Sequence, residues 1–125
     1  MSPIKIYIAA SWTNRFRLRE IRDQFAKMGI EITSQWIDFD RGYGDGDFSE
    51  EAFRDYEDIT NSHILIIDTT DKETRGGREW EGGYATGIGR SVYRVGPVIT
   101  PFHEAVEESF NSWEDCLEYF RHNSD

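Results

Sequence analysis

A chain of 125 residues with 38% hydrophobic and 14% aromatic side chains carries enough apolar mass for one buried core, which excludes disorder, and is too short for a second domain. Its 24 acidic residues against 14 basic ones give a net charge of -10, the wrong sign for a nucleic-acid surface, although backbone N–H groups at a helix N-terminus can still hold one small phosphate. No apolar run approaches the roughly 20 residues that span a bilayer, and Met1-Ser2-Pro3 leads into a strand-like run without a leader pattern, so a cytoplasmic protein with no membrane partner is expected.

The first strand is read at Ile4-Lys5-Ile6-Tyr7-Ile8-Ala9-Ala10. Residues 13–28 follow as a helix, with Phe16, Leu18, Ile21, Phe25 and Met28 as its apolar stripe and Gly29 as its stop. A second strand is expected over residues 30 to 36 or 37, and then an acidic, glycine-rich loop over residues 38–47. That loop is not a calcium loop: counting from Asp38, the fifth, sixth and twelfth positions are Gly42, Tyr43 and Ser49. It reads instead as a lid over a sugar or base, with Asp40 as a hydrogen-bonding partner. Asp47 and Glu50 open a helix that sets Ala52, Phe53, Tyr56 and Ile59 on one face.

His63-Ile64-Leu65-Ile66-Ile67-Asp68 is apolar on both faces, as a central parallel strand should be. A turn-rich stretch over residues 69–77 precedes a short helix over 78–88. Ser91-Val92-Tyr93-Arg94-Val95 is a fourth strand, with Val98-Ile99 extending it or forming a fifth. The last helix starts at Asn111-Ser112-Trp113-Glu114 and ends near His122. Cys116, the only cysteine, falls in its apolar pattern with Trp113, Leu117 and Phe120, so no intrachain disulfide forms. Strands alternating with helices predict a doubly wound, flavodoxin- or Rossmann-like α/β domain over residues 1–125, with a parallel sheet of four to five strands and helices on both faces. Its site should lie beyond the carboxyl ends of the strands, where Ser11, Trp12 and the segments 38–40, 68–77 and 96–97 converge.

Within Gly76-Gly77-Arg78-Glu79-Trp80-Glu81-Gly82-Gly83-Tyr84-Ala85-Thr86-Gly87, three glycines sit inside a helix, each about 1 kcal/mol worse there than alanine. Close approach of a ligand or a neighbouring backbone explains such placement. Glu81 lies in or near the first turn, where the helix dipole favours an ionised carboxylate able to act as a nucleophile. Glu79 and Glu81 also suit the simpler role of acids that stabilise a helix start.

Glu81-Gly82-Gly83-Tyr84-Ala85 resembles the E-L-G-Y-A signature of nucleoside 2-deoxyribosyltransferases and the related 2'-deoxynucleoside 5'-monophosphate N-hydrolases. Ile6-Tyr7-Ile8-Ala9-Ala10-Ser11-Trp12 resembles their opening strand and loop. Val95-Gly96-Pro97, Pro101-Phe102-His103 and Ser112-Trp113-Glu114-Asp115 are similar to bacterial and phage members. The resemblance implies that Glu81 attacks C1' of the sugar and displaces the base, after which water completes hydrolysis or a second base completes transfer. It matches Tyr7 to a tyrosine that orients the glutamate, Trp12 to an aromatic beside the base, and Ser11 to a serine on the phosphate. Asp55 matches a carboxyl that protonates the leaving base. Gly77 and Arg78 join Ser11, Trp12 and Asp40 as expected substrate contacts, a cation at Arg75 or Arg78 pairing with a phosphate.

The chain departs from the family pattern at Glu79, where many relatives have glycine, at Arg75, and after Gly96-Pro97, where the common asparagine is missing. The resemblance also implies a homodimer or larger homo-oligomer, with Trp80 and Tyr84 as interface candidates. His63, His103 and His122 lack Cys or His partners at ligand spacing, and neither a Walker loop nor a G-x-G-x-x-G fingerprint is present, so no metal or cofactor is expected. The competing reading is a non-catalytic nucleotide-binding sensor on the same sheet, separable by whether turnover depends on Glu81.

Overall fold

The computed structural model describes residues 3–39, 48–71 and 76–123. Its sheet is built from β1 (Lys5–Ala9), β2 (Glu31–Ile32), β3 (Ile64–Asp68), β4 (Ser91–Val95) and β5 (Glu108–Phe110). All are parallel, in the order β2-β1-β3-β4-β5. The two central strands are buried nearly throughout, which is why their sequences read as unbroken apolar runs. The helices are α1 (Arg15–Lys27), α2 (Phe48–Thr60), α3 (Gly77–Gly87) and α4 (Trp113–Asn123). The right-handed crossovers put α1 on one face and α3 on the other. Phe25 of α1 meets Trp113 and Phe120 of α4 edge-on, with ring centroids 6.4 and 5.5 Å apart. On the opposite face Tyr56 of α2 meets Tyr84 of α3, centroids 4.5 Å apart. No described helix is long and apolar enough to cross a membrane.

Four expectations change. Phe16 is 59% exposed, because α1 turns Leu18, Ile21 and Phe25 inward and a residue two positions before Leu18 points the other way. Its ring instead lies under the guanidinium groups of Arg15 and Arg19. The second strand stops at Ile32, and Gln35–Asp38 winds into a 3-10 turn that buries Trp36 and Ile37, with the Trp36 indole donating to the Ile8 carbonyl at 2.9 Å. On α2 the inward face is Asp55, Asp58 and Ile59, while Phe53 is 69% exposed. The fifth strand is Glu108–Phe110; Val98 and Ile99 belong to no strand and are exposed.

Gly96 closes the rim where the loops after β3 and β4 meet. Its φ is +109°, and a Cβ there would stand 2.5 Å from Thr69 Oγ1 and 2.9 Å from the Thr70 nitrogen. Gly96→Ala is therefore expected to cost about 3 kcal/mol in urea unfolding, from strain and overlap together. Gly83→Ala, on an exposed stretch of α3 with nothing within 4 Å, should gain up to about 1 kcal/mol. Equal effects of the two would refute this account.

Candidate active site

The phase of α3 sets Glu81. Arg78, Gly82 and Ala85 form the buried stripe of that helix, and a Cβ on Gly82 would reach 2.8 Å from Ile67 Cδ1. The glycine thus lets α3 lie close on the sheet, and the partly buried Glu81 reaches β1. There the fully buried Tyr7 donates its hydroxyl to Glu81 Oε2 at 2.7 Å. From α2, the buried Asp55 hydrogen-bonds to the Glu81 carboxyl. Three elements separated in sequence thereby meet at one point, and Tyr7, Asp55 and Glu81 are the residues singled out for catalysis above.

Burial pushes the Asp55 carboxyl up to about 6, with the Asp58 charge adding to the rise and the Glu81 hydrogen bond and Arg54 opposing it. Burial also drives Glu81 well above the usual carboxylate range, reinforced by the charge of Asp55 and opposed by the Tyr7 hydroxyl. Two acids so close cannot both ionise cheaply, so near neutral pH the pair holds one proton between them. The Tyr7 hydroxyl, donating to Glu81, favours the ionised form of that carboxyl, against the burial and the Asp55 charge that raise it. The result is one carboxylate and one carboxylic acid, side by side.

Among the expected substrate contacts, Trp12 is half-buried, its indole donating to the Phe39 carbonyl at 3.1 Å and one face covered by Arg15 at 3.5 Å. Ser11 caps the 3-10 turn Trp12–Asn14. Its hydroxyl lies 2.8 Å from that of Thr13, which in turn donates to Asp71 at 2.6 Å. Gly77 opens α3 behind Gly76, whose φ of +85° turns the chain into the helix. Arg78 is only 5% exposed: Nε binds Glu79, Nη1 binds the Asp68 and Asp71 carbonyls, and Nη2 has no partner. It braces the connection into α3, and its buried Nη2 amino group is left without a partner. Asp40 and Arg75 lie outside the described residues.

Sequence reasoning missed three neighbours. Asp58 accepts from the Gln35 backbone and side chain at 3.0 and 2.8 Å, tying α2 to the Gln35–Asp38 turn. Its position three residues after Asp55 was the available signal. Buried His103 accepts the Ile99 and Thr100 N–H groups at Nδ1, which leaves Nε2 to donate to Glu79 at 3.0 Å. No local signal links those two residues across the chain. Arg54 stands on α2 beside Asp55, its guanidinium 4.7 Å over the Phe39 ring. The described residues hold no group of three or more His, Cys, Asp or Glu arranged for a metal. A separate groove of about 490 Å³ follows the other flank of α3 past Trp80, Gly83 and Phe102, and Glu81 takes no part in its lining.

No family model matches the chain, and no curated protein matches it by sequence. Solved structures do. A 2-deoxyribosyltransferase from Bacillus psychrosaccharolyticus superposes with a TM-score of 0.69 at 21% identity, over 92% of this chain and 91% of that one. A CMP N-glycosidase from Clostridium botulinum gives 0.62 at 15% identity, over 94% and 98%. A conserved protein from Enterococcus faecalis gives 0.71 at 16% identity, over 98% and 99%. The α/β fold is shared with these proteins along nearly the whole of each chain.

Proposed function

We propose that this chain is an enzyme that cleaves or exchanges the N-glycosidic bond of a nucleoside or nucleoside 5'-monophosphate through a glycosyl intermediate on Glu81. The observation that carries the reading is the partly buried Glu81 paired with the buried Asp55, with the Tyr7 hydroxyl 2.7 Å from Glu81 Oε2. Proteins of this fold that act on the same bond type, the deoxyribosyltransferase and the CMP N-glycosidase, support it.

In the first step a Glu81 oxygen bonds to C1', the C1'–N bond breaks, and its electron pair leaves with the base while Asp55 delivers a proton to that base. In the second, water gives its proton to Asp55 and bonds to C1', and the bond to Glu81 breaks to regenerate the carboxylate. A free base in place of water yields transfer. Ser11 and the Gly77 backbone are the groups we assign to a 5'-phosphate, with Arg78 behind them as a buried positive charge, and Trp12 is assigned to the base. The working form is taken to be a homo-oligomer, with Trp80 and Tyr84 as candidate contacts.

The test is a panel of ribo- and deoxynucleosides and their 5'-monophosphates, each with and without a second free base, followed by chromatography for released or exchanged base. Turnover with a sugar adduct on Glu81, detected by mass spectrometry, supports the proposal. Binding without turnover replaces it with the sensor.

The shared proton sets the pH dependence. Below about pH 6 the pair gains a second proton and no carboxylate remains in it, so kcat/KM should fall about tenfold per pH unit. Above the upper titration Asp55 has no proton to give, and the rate falls again. Asp55→Asn should remove the alkaline limb and leave the acid limb in place, since the neighbour of Glu81 at 55 is uncharged on both sides of that lower step. A profile unchanged in that variant would refute the shared-proton account.

A further inference from the structure

α3 has little of its own to hold it in place. Four of its eleven residues are glycine, its buried stripe is Arg78, Gly82 and Ala85, and it starts at Gly76 with no side-chain cap. The apolar side chains that elsewhere interlock a helix with its neighbours are scarce here, so the roll of α3 about its own axis falls to polar side chains in its first two turns. Glu81 holds one flank, against Tyr7 and Asp55. Glu79, two residues earlier and roughly 200° round the helix, lies on the other flank, in the lining of the groove that leaves Glu81 out.

There a single oxygen, Glu79 Oε2, accepts from Arg78 Nε at 2.7 Å and from His103 Nε2 at 3.0 Å. The Glu79 side chain is 14% exposed, and those of Arg78 and His103 are buried. Behind His103 the chain is fixed to the sheet: Nδ1 accepts the Ile99 and Thr100 N–H groups, and Arg94 of β4 donates to the His103 and Gly96 carbonyls. A path of directed hydrogen bonds therefore runs from β4 through the 96–104 loop to the first turn of α3, and it ends two residues from Glu81. An apolar cluster of the same size would serve stability as well as these buried polar groups, so their presence points to geometry.

Resting on the glycosidic reading above, we propose that Glu79 and His103 are positioning residues for Glu81: their contact fixes the roll of α3, and with it the approach of Glu81 to Tyr7 and to C1' of the sugar. Neither side chain needs to touch the substrate. A misplacement of about 1 Å at the reacting carboxylate costs about 100-fold in rate.

The experiment compares the wild type with His103→Asn, whose amide oxygen keeps the loop N–H groups partnered but falls short of Glu79, and with His103→Gln, which reaches Glu79 again. Glu79→Asp keeps a charge for Arg78, draws the carboxylate back by one carbon, and repeats the test without touching the loop. Base release is followed well below the melting temperature of each variant. His103→Asn and Glu79→Asp should lower kcat about 30-fold or more with KM within about threefold, and His103→Gln should recover most of the loss. Added to Tyr7→Phe, His103→Asn should cost under about threefold, because the contact it protects is already gone. Full kcat in His103→Asn and Glu79→Asp overturns the proposal. So do equal losses in His103→Asn and His103→Gln, or a loss that simply multiplies that of Tyr7→Phe. Should the wild type turn over no substrate, the glycosidic reading fails, and amide hydrogen exchange decides the positioning alone. Faster exchange in His103→Asn over residues 77–84 as well as 96–104 then sustains it, and faster exchange confined to the loop, or none, overturns it.

Discussion

Glu81→Gln is expected to slow base release by at least about 10,000-fold while making the protein more resistant to unfolding near pH 8. The rate loss follows from the role of the group: an amide oxygen is a poor nucleophile and leaves no good route back from a sugar adduct, and losses of this size follow removal of a covalent nucleophile. The gain in stability follows from linkage. Asp55 and Glu81 both hold their protons more tightly in the fold than in the unfolded chain, so the folded state binds more protons. Their contribution to stability is full below the unfolded carboxylate range and is lost as pH rises through about 6 and beyond. An uncharged glutamine escapes that penalty. The variant should exceed the wild type by roughly 1–3 kcal/mol near pH 8, and the advantage should shrink towards pH 4. Thermal melts at the two pH values, set beside turnover, check both halves. An active variant sinks the mechanism, and a variant less stable at pH 8 sinks the electrostatics.

The second large effect is expected at Asp68, at the carboxyl end of β3. This fully buried carboxylate accepts from Asn14 Nδ2 at 2.8 Å and the Trp113 indole at 3.0 Å on one oxygen. On the other it accepts from the Thr70 nitrogen at 2.8 Å and the Thr70 hydroxyl at 2.6 Å. One side chain therefore joins the central strand to the start of α1, to α4 and to the loop leading to α3. Asp68→Ala leaves the buried Trp113 N–H without a partner and should cost about 4 kcal/mol in urea unfolding. A cost under about 1 kcal/mol would mean that water or a rearranged side chain replaces these bonds.

The parts of the molecule legible in its sequence are those decided by burial. Residues 64–68 are buried on both faces and read as a strand; Leu18, Ile21 and Phe25 keep the helical period and read as a buried stripe. Phe16 and Phe53 misled because large apolar side chains were taken as inward-facing, whereas phase decides and the inward positions of α2 belong to two aspartates. β5 was invisible because Glu108 and Ser109 are exposed and the strand exists only through backbone pairing with β4. Glu81 stood out through its glycine-rich helix start, Tyr7 and Asp55 only through family resemblance, and no local pattern would have joined residues so far apart. Arg54 and the Glu79–His103 pair escaped for the same reason, since their meaning lies in contacts across the fold.

The strand order has a consequence in time. β1 can pair with β3 only after the chain has run on from Ile6 to Ile64, and before that point its sole partner is the two-residue β2. A chain emerging from the ribosome therefore has little to close upon until its second half appears, and a refolding chain must first close that long loop. Tyr7 lies on the early side of this event and Glu81 on the late side. Activity should accordingly return in the slowest native phase, together with burial of Trp113 and never ahead of it.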